Sequence, residues 1–200
     1  IKYQNAINPS QLNDQTTVAA LKLLLKPDTA QDSQTWYFYD ENGKQRFTVN
    51  SLGIVQEKRY DQAEREIQQL RYANLLDISQ VSSLTTGKLA EWATANTSKD
   101  DRLKYFIKDG LGRKRFVINS RRFIKENRYD AAGNKITVIR YATQIINPDL
   151  LIQLPLAQIY NNLARNPDLD STTYYLFDGL NRPTFVVSPE GQVTAYQHDK

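Results

Sequence analysis

Residues recur along this chain at a fixed interval of 69. Tyr3, Tyr72 and Tyr141 share that spacing, as do Asp40, Asp109 and Asp178, and Phe47, Phe116 and Phe185, with no insertion or deletion between copies. Such a period constrains the fold strongly, because one repeat cannot bury its apolar face alone and must stack on its neighbours. The spacing predicts one repeat array over residues 1–200. Residues 1–3 are the tail of a preceding unit, 4–72 the first unit, 73–141 the second and 142–200 a truncated third. In the first unit a helix is expected over 17–26 and strands over 35–72. On this phase the third unit lacks its fourth strand, so Gln192 to His198 becomes an unpaired edge bearing Val193 and Tyr196. Such an edge predicts a mobile C-terminus or edge-to-edge association. The stub Ile1 to Tyr3 is too short to close the body on itself.

Local patterns fill in each unit. In Thr17 to Lys26, Val18, Leu21 and Leu25 fall on one helical face; Thr16 is placed to cap the start and Pro27 to stop it. The equivalents are Thr86 to Ala95, weakened by Gly87, and Pro155 to Ala164, with Pro155 in the first turn. Polar loops lead into four strands per unit. In the first unit these are Thr35 to Tyr39, Lys44 to Asn50, Ile54 to Tyr60 and Arg65 to Tyr72, joined by turns such as Asp40-Glu41-Asn42-Gly43. Period-two alternation puts Trp36, Tyr105 and Tyr174, then Phe38, Ile107 and Leu176, then the three Phe, then Val49, Ile118 and Val187, then Val55, Ile124 and Val193 on a buried face. Tyr37, Phe106 and Tyr175 lie on the opposite face, which the helix is expected to cover. The fold class is therefore mainly β with short helices, a repeat array of antiparallel β-hairpin units, each with one inserted helix.

Tyr39-Asp40-Glu41-Asn42-Gly43-Lys44, Arg59-Tyr60-Asp61 and Arg128-Tyr129-Asp130-Ala131-Ala132-Gly133-Asn134 resemble the YD repeat of the RHS family. The resemblance covers the strand-rich blocks and includes bacterial RHS proteins, Tc-type toxin shell components and teneurin-like YD repeats. It implies hairpins coiling into a strand ribbon, which in that family forms a hollow shell and in its bacterial toxins encloses a toxic C-terminal domain. The implied partners are neighbouring repeats of the parent chain and an enclosed toxin domain. The chain departs from the pattern at Lys108-Asp109, Phe177-Asp178 and His198-Asp199, and by helix-bearing inserts. A β-solenoid and a shell segment both remain open.

Composition bounds function. The chain has no Cys and no Met, which fits a processed or excised piece of a secreted or cell-surface protein without disulfides. No apolar run is long enough for a membrane helix. The Tyr-Asp pairs recur at turn starts, where Asp bonds turn amides and Tyr packs, so they are not read as acid-base pairs. His198 is the only His, and no set of ligands or nucleophile with its base is visible; no catalytic residue, metal or cofactor is expected. The remaining feature is a basic cluster, Arg113, Lys114, Arg115, Arg121, Arg122, Lys125 and Arg128, on adjacent strands, in a chain of net charge +4. It is either a solvated strand face or a contact for phosphates or sulfated sugars. Tyr residues either pack in the core or stack on sugars. The expected function is a non-enzymatic structural segment of a scaffold or toxin-enclosing shell; the alternative is an adhesion module for cell-surface glycans or other polyanions.

Overall fold

The computed structural model describes residues 1–199 apart from 4, 27 and 29–31. Eleven strands form one antiparallel sheet in strictly sequential order. They are β1 (Thr35–Tyr39), β2 (Gln45–Asn50), β3 (Ile54–Tyr60), β4 (Glu66–Leu75), β5 (Arg102–Lys108), β6 (Lys114–Ile118), β7 (Phe123–Tyr129), β8 (Lys135–Gln144), β9 (Ser171–Phe177), β10 (Pro183–Val187) and β11 (Val193–Ala195). Four short helices, α1 (Val18–Leu24), α2 (Thr86–Ala95), α3 (Pro148–Leu151) and α4 (Leu156–Ile159), interrupt them.

The turns that create this meander are written in the sequence. At Asp40, Asp61, Asp109, Asp130 and Asp178 one carboxylate oxygen accepts the backbone N–H four residues on, at 2.8–3.0 Å. The Asp thus holds the amides that a tight turn leaves unpaired. Immediately after Phe38, Ile107 and Leu176 the register also slips. Phe38 faces Phe47 while Tyr39 faces Gln45, so Arg46 is an extra residue, and Arg115 and Thr184 occupy the same place in β6 and β10. These are β-bulges, which twist a strand and re-aim a side chain. The isolated bridge Lys2↔Ser33 has the register of Arg140↔Ser171 two periods further on.

Helix ends follow local chemistry. The cap of α1 is Thr17, whose hydroxyl accepts from Ala20 N–H; Thr16, the expected cap, instead accepts from Asn13 N–H. The helix ends at Leu24, two residues short of the expected Lys26, and the expected stop at Pro27 lies outside the described residues. Its Val18 is exposed. α2 has the expected bounds, with Thr85 as cap. The helix expected over 155–164 is broken. Pro155 is the N-cap, α4 ends at Ile159 and a 3-10 turn spans Tyr160–Asn162. Asn residues compete with helical bonding through their side chains, and Asn162 Nδ2 donates to Gln158 O at 3.0 Å. α3 was not foreseen; Asn147 caps it by accepting from Leu150 N–H. β4 runs to Leu75, beyond the expected Tyr72, because Ala73 N–H donates to Asp101 and Leu76 N–H to Gly53 O.

The chain forms two compact units. In the first, Ile1–Glu57 with Arg71–Asp101, Phe47, Val49 and Val55 of the sheet are buried with Leu89 and Ala93 of α2, and Tyr72 meets Trp92 edge-on at 5.5 Å. In the second, Lys58–Leu70 with the described part of Arg102–Lys200, the core joins Tyr105, Ile107, Phe116, Ile118, Ile124 and Tyr141 to Leu151, Ile159 and Leu163. Phe116 meets Tyr160 edge-on at 5.5 Å.

Two expectations are corrected here. The helices cover the face of Phe47 and Phe116, not that of Tyr37 and Phe106, because α2 and α4 present their apolar residues to the already apolar sheet face. Phe185 is also not buried like its counterparts; it is 43% exposed against 0% for Phe47 and Phe116, and Tyr174, Leu176 and Val193 are exposed with it. Among the described residues no helix follows β9 in the chain to cover it.

Candidate functional site

The basic cluster divides between the two faces of the sheet. On the helix-covered face, Glu126 of β7 is fully buried in line with Ile124. Its carboxylate accepts from Arg115 Nη2 at 2.7 Å, Arg128 Nε at 2.8 Å, Tyr141 Oη at 2.6 Å and Tyr160 Oη at 2.8 Å. Burial opposes its ionisation, but the hydrogen bonds from Arg128, Tyr141 and Tyr160 and the charge of Arg128 outweigh it, so the carboxyl titrates below its ordinary value. The same burial and the bond to Glu126 push the Tyr141 phenol up. Glu57, one period earlier, accepts from Arg46 Nη2 at 3.4 Å and Tyr72 Oη at 2.8 Å. The bulge explains the arrangement, since it turns Arg46 or Arg115 onto the same face as the following Phe. These arginines hold a strand, its neighbour and, at Tyr160, the covering helical segment together.

Arg113 is held too: its Nε donates to Asp109 at 2.7 Å and its guanidinium lies 4.6 Å over the Tyr129 ring. Arg122 sits at a turn, with Nη1 donating to Ile146 O at 3.4 Å. Of the seven basic residues singled out from sequence, Arg113, Arg115, Arg128 and Lys114 are therefore committed to carboxylates.

Lys114, Arg121 and Lys125 meet on the other face, within the second unit. There the register aligns Phe106, Val117, Lys125, Arg140 and Ser171 across five consecutive strands. A groove of about 730 Å³ lies over this row; Lys104, Lys114, Arg121, Lys125 and Arg140 line it, and among the described residues no acid does. Lys114 is neutralised by Glu66 at 3.5 Å and caps the Phe106 ring at 3.6 Å. Lys104, Arg121, Lys125 and Arg140 form no ion pair among the described residues. Lys125 is half-buried, and burial, followed by the charges of Lys135, Arg140 and Lys104, lowers its amine below the ordinary lysine range. Sequence reasoning missed Lys104 and Arg140. Their signal was available: each is a cation at an out-of-core position of a strand.

No group of three or more His, Cys, Asp or Glu side chains that could hold a metal occurs among the described residues. No helix among them is long and apolar enough to cross a membrane.

The chain matches no protein-family model and no curated protein. Among solved structures it is similar to TcdB2-TccC3-Cdc42, with a TM-score of 0.46, 15% identity and 80% of this chain covered. TcdB2-TccC3 without its hypervariable C-terminal region gives 0.46 and 14% over 80%, and TcdB2-TccC3-TEV gives 0.46 and 14% over 82%. In each case the match spans 7% of the other chain.

Proposed function

We propose that this chain is a non-enzymatic structural segment, a run of β-hairpin repeats with inserted helices that extends a scaffold or shell in a larger secreted or cell-surface protein of the RHS/YD kind. The observation that carries the reading is the recurrence of one internal joint at the 69-residue offset. A bulge Arg, a buried Glu and a Tyr from the next strand meet as Arg46, Glu57 and Tyr72, and again as Arg115, Glu126 and Tyr141. A second joint recurs beside it, Ala73 N–H to Asp101 and Ala142 N–H to Asp170. Repetition of structural joints, with no converging catalytic group among the described residues, suits a part whose task is to be continued by more of itself. The absence of Cys suits an extracellular setting. Its partners on this reading are neighbouring repeats and, where they close into a shell, the domain enclosed.

The test is an in-register deletion. Removing residues 73–141 joins Tyr72 to Ala142 and preserves the repeat phase; the shortened chain is expected to keep its β-rich circular dichroism and a cooperative melt. Removing 60 residues from the same start shifts the phase and is expected to abolish both. Equal behaviour of the two deletions, or turnover of activated ester, phosphodiester or glycoside substrates by the intact chain, would overturn the proposal.

A further inference from the structure

We propose that the groove over Lys104, Lys125 and Arg140 is a binding site for a sulfated oligosaccharide. Three observations carry it. First, the cations are assembled by register, not by sequence proximity: Lys125 and Arg140 are direct cross-strand partners on β7 and β8, and Lys104 approaches from β5. Like charges placed opposite each other destabilise a sheet, so this pair weakens the fold unless an anion sits between them. Second, this charge is uncompensated. Among the described residues no acid lines the groove and only Lys114 of its cations is paired, with Glu66, while Arg113, Arg115 and Arg128 are each matched to a carboxylate. Third, the size and floor select the ligand. A volume of about 730 Å³ falls in the range of sites for small ligands. It suits a few sugar rings bearing sulfates.

The floor argues against nucleic acid. Single strands are gripped by stacking bases on open aromatic faces. Here Phe106 is only 5% exposed and the Lys114 ammonium already occupies its ring face. The groove offers spaced charge and a single partly exposed ring, Phe123, not a row of open rings, which suits a sulfated sugar better than a run of stacked bases. Lys104, Arg121, Lys125 and Arg140 would contact sulfates; Arg113, Arg115 and Arg128 would not take part. The site is additional to the scaffold role and does not depend on it, since the groove is complete within the second unit.

Calorimetric titration of the full chain with a heparin-derived hexasaccharide at several salt concentrations tests this. The wild-type protein is expected to bind, with affinity falling steeply as salt rises. Lys125→Gln with Arg140→Gln should weaken binding at least tenfold and make the salt dependence shallower by about two ions. Removing two like charges from the groove should leave the melting temperature unchanged or higher. Should that double variant melt lower, Lys104→Gln, at an exposed position, replaces it, with a threefold or greater loss expected. Arg165→Gln is the control: it removes a cation that lies over Tyr160, on the helix-covered side, and should bind like wild type. A thymidine oligonucleotide of equal charge should bind at least tenfold more weakly than the hexasaccharide. Absence of hexasaccharide binding, equal loss in Arg165→Gln, or oligonucleotide affinity matching the hexasaccharide would each overturn the assignment.

Discussion

Gly53 and Arg122 stand one period apart and share a left-handed backbone, at φ 74° and 65°. Each carbonyl receives the N–H that closes the next strand, from Leu76 and Ile145 respectively, at 2.8 Å. A Cβ at Gly53 would stand 2.2 Å from Leu76 O, so Gly53→Ala should destabilise the first unit by well over the intrinsic cost of about 1 kcal/mol for a left-handed non-glycine residue. Arg122→Gly should do the reverse and stabilise the second unit by about 1 kcal/mol. Denaturant melts of the two variants check both signs. Glu126 is the other residue on which much depends. Glu126→Ala strands Arg115 beside the core and should cost about 3 kcal/mol, less than a fully enclosed pair because Arg128 still reaches water. Its carboxyl titrates lower when folded than when unfolded, so its contribution is complete above about pH 4.5 and fades as pH falls further. Glu126→Gln should accordingly lose less stability than wild type between pH 5 and pH 3, a difference readable in melting temperature.

Among elements, the contrast between β6 and β10 sets the largest prediction. Phe116→Ala opens a cavity under Tyr160 and should cost about 3–5 kcal/mol, whereas Phe185→Ala, at the same position of the period but uncovered, should cost less than about 1 kcal/mol. Chemical denaturation of the two variants measures it. The strands themselves were legible: Thr35–Tyr39 and Ile54–Tyr60 were bounded by their alternation and by the Asp turns. Which face the helices would cover was not legible, because Phe106 and Phe116 are equally apolar in sequence and only packing distinguishes them. Basic residues misled for a more specific reason. Alternation assigns Arg115 to the outer face, but the bulge at Lys114–Phe116 turns it inward to Glu126. The groove was hidden for the converse reason: Lys104, Lys125 and Arg140 are far apart in sequence and meet only through the β7–β8 register and the return of β5. Glu57 and Glu126 did carry a signal, an acid in phase with Val55 and Ile124 and followed two residues on by an arginine, Arg59 or Arg128.

For the molecule as a whole, the exposed stripe of Tyr174, Leu176, Phe185 and Val193 lies on β9–β11, with the three-residue β11 last in the strand order. An uncovered apolar face beside a free edge recruits other strands. Light scattering should therefore show association that grows with concentration, and Val193→Lys should suppress it. A strict monomer at high concentration would show that the stripe is not adhesive.

The sequential strand order also has a mechanical consequence. Every strand is bonded to its neighbours in the chain, so tension applied at the two ends does not load a whole ladder of hydrogen bonds at once. It peels the outermost strand, one bond after another, and then the next. Such a sheet yields like a zip opened from its ends and re-closes from whichever hairpin survives, since each hairpin turn keeps its own Asp, Asn or Ser cap and needs no distant partner to form.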